Sequence, residues 1–303
     1  MFCGFRAVIR KGKQLGVQRF HCQRCGKNFQ NKRRKQHLQR TLWHQYIWRR
    51  QTLRQLADKY HRSSRWIQQQ LDRVQVQKFH LHPQPIVGIA DMTFWGRGYG
   101  VLVFRSWDLK QNLYWTEVAS ETALAYHEGR QILEGLGYTF DAIVLDGRHG
   151  IRGVFGDIPV QLCQYHQIAT IRRYLTNRPK LEAGKELRIV SLALPELDEP
   201  TFTGVLNEWY EKWCEFLKER TYTENKQHWQ YTHRRIRSAY RSLRHNLPYL
   251  FTYQKYPELR IPNTTNSLDG SFSHLKDLLR IHRGLKRQRR WRMIQEVLAK
   301  PKH

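Results

Sequence analysis

Nowhere in this chain of 303 residues do apolar residues run on to the ~18 that a membrane-spanning helix needs. Met1–Arg10 is short and interrupted by Arg6 and Arg10, so it does not read as a secretory leader. Cysteine is sparse: five in all, an odd number with one C-x-x-C pair, which argues against a disulfide framework. Acid is scarce as well. Only 25 Asp and Glu stand against 53 Lys and Arg, a formal net charge of +28. What is present in quantity is apolar and aromatic substance, 40% and 13% of the chain, with ten Trp spread along it. That is enough for a core, so the charge does not mark a disordered basic tail. The composition predicts a soluble, intracellular, folded protein whose default partner is a polyanion. Nucleic acid ranks ahead of a membrane surface because the charge is spread over the whole chain.

Residues 1–40 read as a zinc-ribbon-like module followed by a basic connector. Cys22 and Cys25 have the spacing that lets two thiolates share a tetrahedral Zn²⁺, and Gly26 permits the turn that follows. Upstream only Cys3-Gly4 matches, as the second half of a knuckle whose first Cys would fall before Met1. The expectation is an incomplete zinc set of Cys3, Cys22 and Cys25, or a true start further upstream, with His21 or water as the fourth ligand. Two short strands, 7–10 and 18–21, lie between the knuckles. Residues 27–40 are rich in Lys and Arg and suit phosphate contacts.

Residues 41–80 carry a helical pattern in three pieces. Leu42, Trp43, Tyr46 and Ile47 recur at helical spacing. Thr52 caps a second piece, and Ser63 or Ser64 a third with Trp66, Ile67 and Leu71 inward. Two short helices joined by a tight turn resemble a helix-turn-helix, in which Arg62, Arg65, Gln68 and Gln69 would reach phosphates or base edges.

After the Pro83 and Pro85 linker the period changes to that of strands. Strands are expected at 86–91, 100–106, 113–118, 142–146 and 160–163, a helix at 122–136 and another from about Gln164. The order β-β-β-α-β-α-β-α, opening on a meander, is that of a ribonuclease-H-like α/β fold with a mixed sheet. Asp91 and Asp146 each close an apolar strand. Parallel neighbours would set both carboxylates at one sheet edge, where they repel unless a divalent cation neutralises them. Hard oxygen donors favour Mg²⁺ or Mn²⁺. Two such ions can activate water or a 3′-hydroxyl and stabilise the leaving oxygen in phosphodiester transfer.

The runs DMTFW (91–95), VLDG (144–147), CQYH (163–166) and IPNTTNSLDG (261–270) occur in this order. With them the chain resembles, over nearly its whole length, the bacterial insertion-sequence transposases of the Mutator-like group, which are DDE enzymes on a ribonuclease-H-like scaffold. The resemblance implies catalytic acids Asp91, Asp146 and Asp269 holding two Mg²⁺ or Mn²⁺ ions. The group usually carries Glu where this chain has the shorter Asp269. Core segments would be 81–170 and 256–303, with an all-helical insertion at 171–255. Cys163 and His166 match a recurrent pair of the group. A structural or DNA-positioning role suits them better than metal ligation, because two ligands make a poor zinc site. Arg234, Arg235 and Arg237 in the insertion, and Arg287, Arg289 and Arg290 in the basic C-terminal stretch, are expected on DNA phosphates.

The implied activity is cleavage of element ends and transfer of 3′-hydroxyls into target DNA. The implied partners are double-stranded terminal repeats and target DNA, with at least a dimer to pair two ends. The implied location is the cytoplasm of a prokaryote, at the nucleoid. Two other readings share the fold: a non-catalytic DNA-binding relic or regulator, and a structure-specific nuclease that cuts without joining.

Overall fold

The computed structural model describes residues 7–14, 16–30, 33–76, 82–148, 150–222, 228–282 and 284–300, and of 33–36 the backbone only. In chain order the elements are β1 (Val8–Gln14), β2 (Val17–Cys22), β3 (Asn28–Gln30), α1 (Arg33–Ile47), α2 (Leu53–Tyr60), α3 (Ser64–Asp72), β4 (Pro85–Phe94), β5 (Gly100–Ser106) and β6 (Gln111–Val118). Then come α4 (Ala123–Gly135), β7 (Thr139–Leu145), β8 (Val160–Leu162), α5 (Gln164–Leu175), α6 (Glu182–Leu192) and α7 (Glu199–Lys218). The series closes with β9 (Arg220–Tyr222), β10 (Trp229–Tyr231), α8 (Arg234–Leu250), α9 (Thr252–Lys255), α10 (Asn266–Ile281) and α11 (Arg287–Ala299). The chain divides into two compact units, with boundaries at 77/78, 276/277 and 296/297. Among the described residues no helix is long and apolar enough to cross a membrane.

The first unit holds the antiparallel sheet β1-β2-β3 and the helices that follow it. The Cys22 N–H donates to the Lys27 carbonyl and the Gly26 N–H to the Cys22 carbonyl, both at 3.0 Å. Gly26 sits there at φ 66°, a conformation that side chains with a Cβ disfavour. The basic connector is helical from Arg33, earlier than its composition suggests. Thr52 and Gln55 form a reciprocal capping box at α2, and Ser63 caps α3 by accepting from the Trp66 N–H. Trp43, Tyr46, Ile47, Leu56, Ile67 and Leu71 are buried, as the spacing predicts.

The second unit is built on a mixed five-stranded sheet in the order β6-β5-β4-β7-β8. β6, β5 and β4 form an antiparallel meander, whereas β4, β7 and β8 run parallel. The β4–β7 register ends at Ile89↔Val144. Asp91 stands two residues beyond this last pair on β4, and Asp146 just past the end of β7. β4 does not stop at Asp91, as its apolar run suggests. Antiparallel pairing with β5 carries it on to Phe94↔Gly100.

Two further expectations are corrected. Among the described residues no α-helix joins β7 to β8. The link is a 3₁₀ turn at Arg152–Phe155, preceded by Gly147 and Gly150 at φ 90° and 88°. Four glycines within ten residues (147, 150, 153 and 156) disfavour a longer helix. The segment 171–255 is also not all helical, because β9 and β10 pair as an antiparallel hairpin between α7 and α8.

α8 and α9 are tied to the edge strand β8 by buried polar groups. Gln161 and Gln164 both donate to the Leu250 carbonyl, and Thr252 donates to the Val160 carbonyl. Every one of these buried groups finds a partner, which removes the cost of taking it from water.

α4 lies against the sheet through Gly129. A Cβ built there would run into the ring of Phe104, which is itself packed between Tyr126, Phe140 and Phe155. Helix propensity alone favours alanine over glycine by ~1 kcal/mol. Here the sign reverses: Gly129→Ala should destabilise the protein by ~1–3 kcal/mol, read as a lower urea midpoint with an unchanged m-value.

Candidate metal centre

Three elements from distant parts of the second unit supply the site. β4 carries Asp91, α5 carries His166 in its first turn, and α10 carries Asp269 in its first turn. One oxygen of Asp91, one ring nitrogen of His166 and one oxygen of Asp269 all lie within 4.8 Å of one another. Asp91 is buried, whereas His166 and Asp269 are half-buried.

The link between 163 and 265 fixes this convergence. The Thr265 N–H and hydroxyl approach Cys163 Sγ at 3.3 and 3.4 Å. The same hydroxyl lies 3.3 Å from His166 Nδ1 and 3.4 Å from Asp269 Oδ2. One residue pair back, the Gln164 N–H donates to the Asn263 carbonyl, and Asn263 Nδ2 returns a bond to Gln164 Oε1, both at 2.9 Å. The start of α10 is thereby laced to the start of α5. Cys163 is fully buried and its sulfur faces Thr265, so it positions the loop and is not one of the three gathered ligand groups.

Asp146 stands at the end of β7, half-buried, and its Oδ1 accepts from the Arg148 N–H at 2.9 Å. It is close enough to act on the charge of Asp91 but lies outside the tight group. Of the three acids read from sequence, the structure thus gathers Asp91 and Asp269, with His166 in the third place. The sequence carries no signal for Glu121, which neighbours Asp146. Its carboxylate accepts from the Tyr126 hydroxyl at 3.1 Å and from Arg148 Nη1 at 2.5 Å. Burial raises its pKa, and the charge of Asp146 adds to that.

Burial is also the largest influence on Asp91, whose carboxyl is pushed up to about 7. His166 pulls it down, while Asp146 and Asp269 push it further up. His166 is raised above the ordinary imidazole range by its hydrogen bond with Cys163 and by Asp91 and Asp269, against the effect of burial. In the metal-free protein the imidazolium supplies the positive charge that this acidic cluster needs. Two carboxylates and an imidazole form a donor set that fits a divalent cation of the Mg²⁺, Mn²⁺ or Zn²⁺ type. A cleft of about 660 Å³ that takes in His166 is lined by Glu121 and Asp146 together with Arg148, Arg152 and Arg173.

The remaining candidates are dispersed. Cys3 lies outside the described residues. Cys22 is buried and Cys25 exposed in the β2–β3 turn, while His21 Nδ1 is taken up by Asn28 at 3.0 Å. Arg62, Arg65 and Gln69 are exposed on α3 and just before it, and Gln68 is half-buried. Arg234 and Arg235 are exposed, although Arg235 donates to the Arg173 carbonyl. Arg237 lies over the Tyr231 ring at 3.8 Å. Arg287 is exposed and Arg290 half-buried. Arg289 does not offer itself to a phosphate. It is buried, with Nε and Nη2 on the two Asp72 oxygens at 2.9 and 2.7 Å, so it closes α11 onto the helical module.

The shift on Asp91 sets a pH dependence. Its folded pKa lies above its unfolded one, so between about pH 4 and pH 7 the folded state holds a proton that the unfolded state has lost. Stability of the metal-free protein should therefore fall as pH rises through that window, and Asp91→Asn should remove this part of the slope. Added Mn²⁺ should raise the melting temperature more above pH 7 than near pH 5, because cation and proton compete for the same carboxylate. Thermal melts with EDTA and with Mn²⁺ read both effects, and an Asp91→Asn slope equal to that of the wild type would refute the assignment. Neither a protein-family model nor a curated protein matches the chain.

Proposed function

We propose that the chain is a DNA transposase of the DDE type, with three aspartates as its acids, on a ribonuclease-H-like core. The observation that carries the reading is the convergence at one end of the sheet. Asp91 lies on β4 and Asp146 just past the end of its parallel neighbour β7, and the helix after the 262–265 turn brings a carboxylate oxygen of Asp269 to within 4.8 Å of ligand atoms of Asp91 and His166. The strand order, an antiparallel meander continued by two parallel strands, supports the core assignment. The net charge of +28 supports a polyanionic substrate.

Divalent Mg²⁺ or Mn²⁺, when bound, supplies the Lewis acidity and activated oxygen that phosphodiester chemistry requires. The residues that would hold it are Asp91 and Asp269, with Asp146 contributing from the end of β7. His166 stands among these acids and, in their absence of a cation, carries the compensating proton. Thr265, in contact with Cys163, His166 and Asp269, would keep the α10 acid in reach, which supports an aspartate serving where the resembling group has the longer glutamate. Of the arginines lining the adjoining cleft, Arg152 and Arg173 suit the flanking phosphates, whereas Arg148 is engaged with Glu121. The exposed residues at α3, Arg62, Arg65 and Gln69, suit a helix-turn-helix in DNA.

The deciding assay is strand cleavage and joining with Mg²⁺ on DNA carrying the element's ends. Asp91→Ala, Asp146→Ala and Asp269→Ala should each lower the rate by at least ~10²–10³-fold while leaving end binding in EDTA nearly unchanged. If Asp91→Ala or Asp146→Ala retains full activity, the acids are not the catalytic set. Tight end binding with no cleavage by the wild type would make the chain a DNA-binding regulator, and cleavage without joining a nuclease.

A further inference from the structure

Between α7 and α8 the hairpin β9–β10 displays an aromatic face that the described residues leave uncovered. Tyr222 and Trp229 are directly paired across the two strands, so both rings rise from the same side of the ribbon. They are 55% and 46% exposed, a large cost in apolar surface for a two-stranded element. The next pair on that side is Arg220 and Tyr231. The Arg220 guanidinium lies 4.0 Å from the centre of the Trp229 ring, and Trp229 meets Tyr231 edge to face at 5.1 Å. Arg237 from α8 stacks on Tyr231 at 3.8 Å. The Trp229 and Tyr231 rings are thus held by cations before any partner arrives.

Charge selects the partner. Over residues 218–237 the sequence sets six cations, Lys218, Arg220, Lys226, Arg234, Arg235 and Arg237, against Glu219 and Glu224, and Glu219 is itself engaged with His233 at 2.8 Å. A second copy of this chain would bring its own net charge of +28 to the same place and be repelled. A nucleic-acid strand offers what both parts of the surface need, phosphate for the guanidinium groups and a flat π-face for the rings. Inside a duplex those base faces are already stacked on one another, so only unpaired bases can use them.

We propose that this hairpin face binds unpaired nucleobases of a single strand, with a base stacked on the Tyr222–Trp229 pair and the adjoining phosphate on Arg220. The site stands apart from the acidic cluster and does not depend on the activity proposed for it. The experiment is fluorescence anisotropy of labelled oligothymidine and of a duplex of equal length, with the whole protein, in EDTA and at a salt concentration that suppresses non-specific phosphate binding. Trp229→Ala should weaken single-strand binding by about tenfold and duplex binding by less than about twofold. Trp229→Phe, which keeps a π-face, should restore most of the loss, and Tyr222→Ala should repeat it from the opposite strand. The proposal is overturned if the alanine variants weaken both ligands alike, or leave single-strand affinity unchanged. It is equally overturned if they abolish self-association in sedimentation without touching oligothymidine binding, since the face would then belong to a second copy.

Discussion

Like charges forced together at the end of a sheet are the constraint around which the second unit is organised. Asp91 is buried on β4, with Asp146 just past the end of β7 near enough to act on its charge and Asp269 brought in from α10. Left alone, such an arrangement would push protons onto the carboxyls or push the strands apart. The chain answers with His166, whose imidazole sits within the group, and with a carboxyl on Asp91 that keeps its proton up to about pH 7. An acidic cluster maintained at that cost, on three separate elements, is the feature that the functional reading has to explain.

Much of the surrounding structure serves to keep this cluster closed. Cys163 and Thr265 join α5 to α10 through a buried sulfur, and the reciprocal bonds of Gln164 and Asn263 repeat the link beside it. On the far side of α5, Gln161, Gln164 and Thr252 bind the end of α8 to the edge strand. A Cys-x-x-His step that looks like half a zinc site therefore has two different duties. Its cysteine shapes a loop, and its histidine balances charge.

The basic residues also separate into kinds once their surroundings are known. Arg289 is spent inside the fold on Asp72, and Arg130 grips Asp157 and the Val154 carbonyl to hold the turn between β7 and β8. Arg148 leans on Glu121. The cations left toward solvent, on α3, at the start of α8 and on the hairpin, are the ones with charge to give a polyanion.

Local pattern was enough for most of the elements, though not for the β7–β8 link, the β9–β10 hairpin or the start of α1. The apolar runs of β4, β5 and β7, the caps Thr52 and Ser63, and the inward faces of α1 to α3 follow from period and side-chain chemistry, which act over a few residues. The same logic picked out Asp91 and Asp146 as acids at strand ends, whereas Asp269 entered through the resemblance of the 261–270 run. What it could not reach was set by contacts between residues well separated along the chain. Such contacts made His166 rather than Asp146 the third member of the tight group, brought Glu121 beside Asp146, and buried Arg289 in an ion pair. They also turned a favourable glycine-to-alanine change at 129 into a clash with Phe104. Composition and periodicity describe what one segment prefers by itself. Which charge meets which, and which cation remains for a partner, is decided only when the strands and helices close on each other.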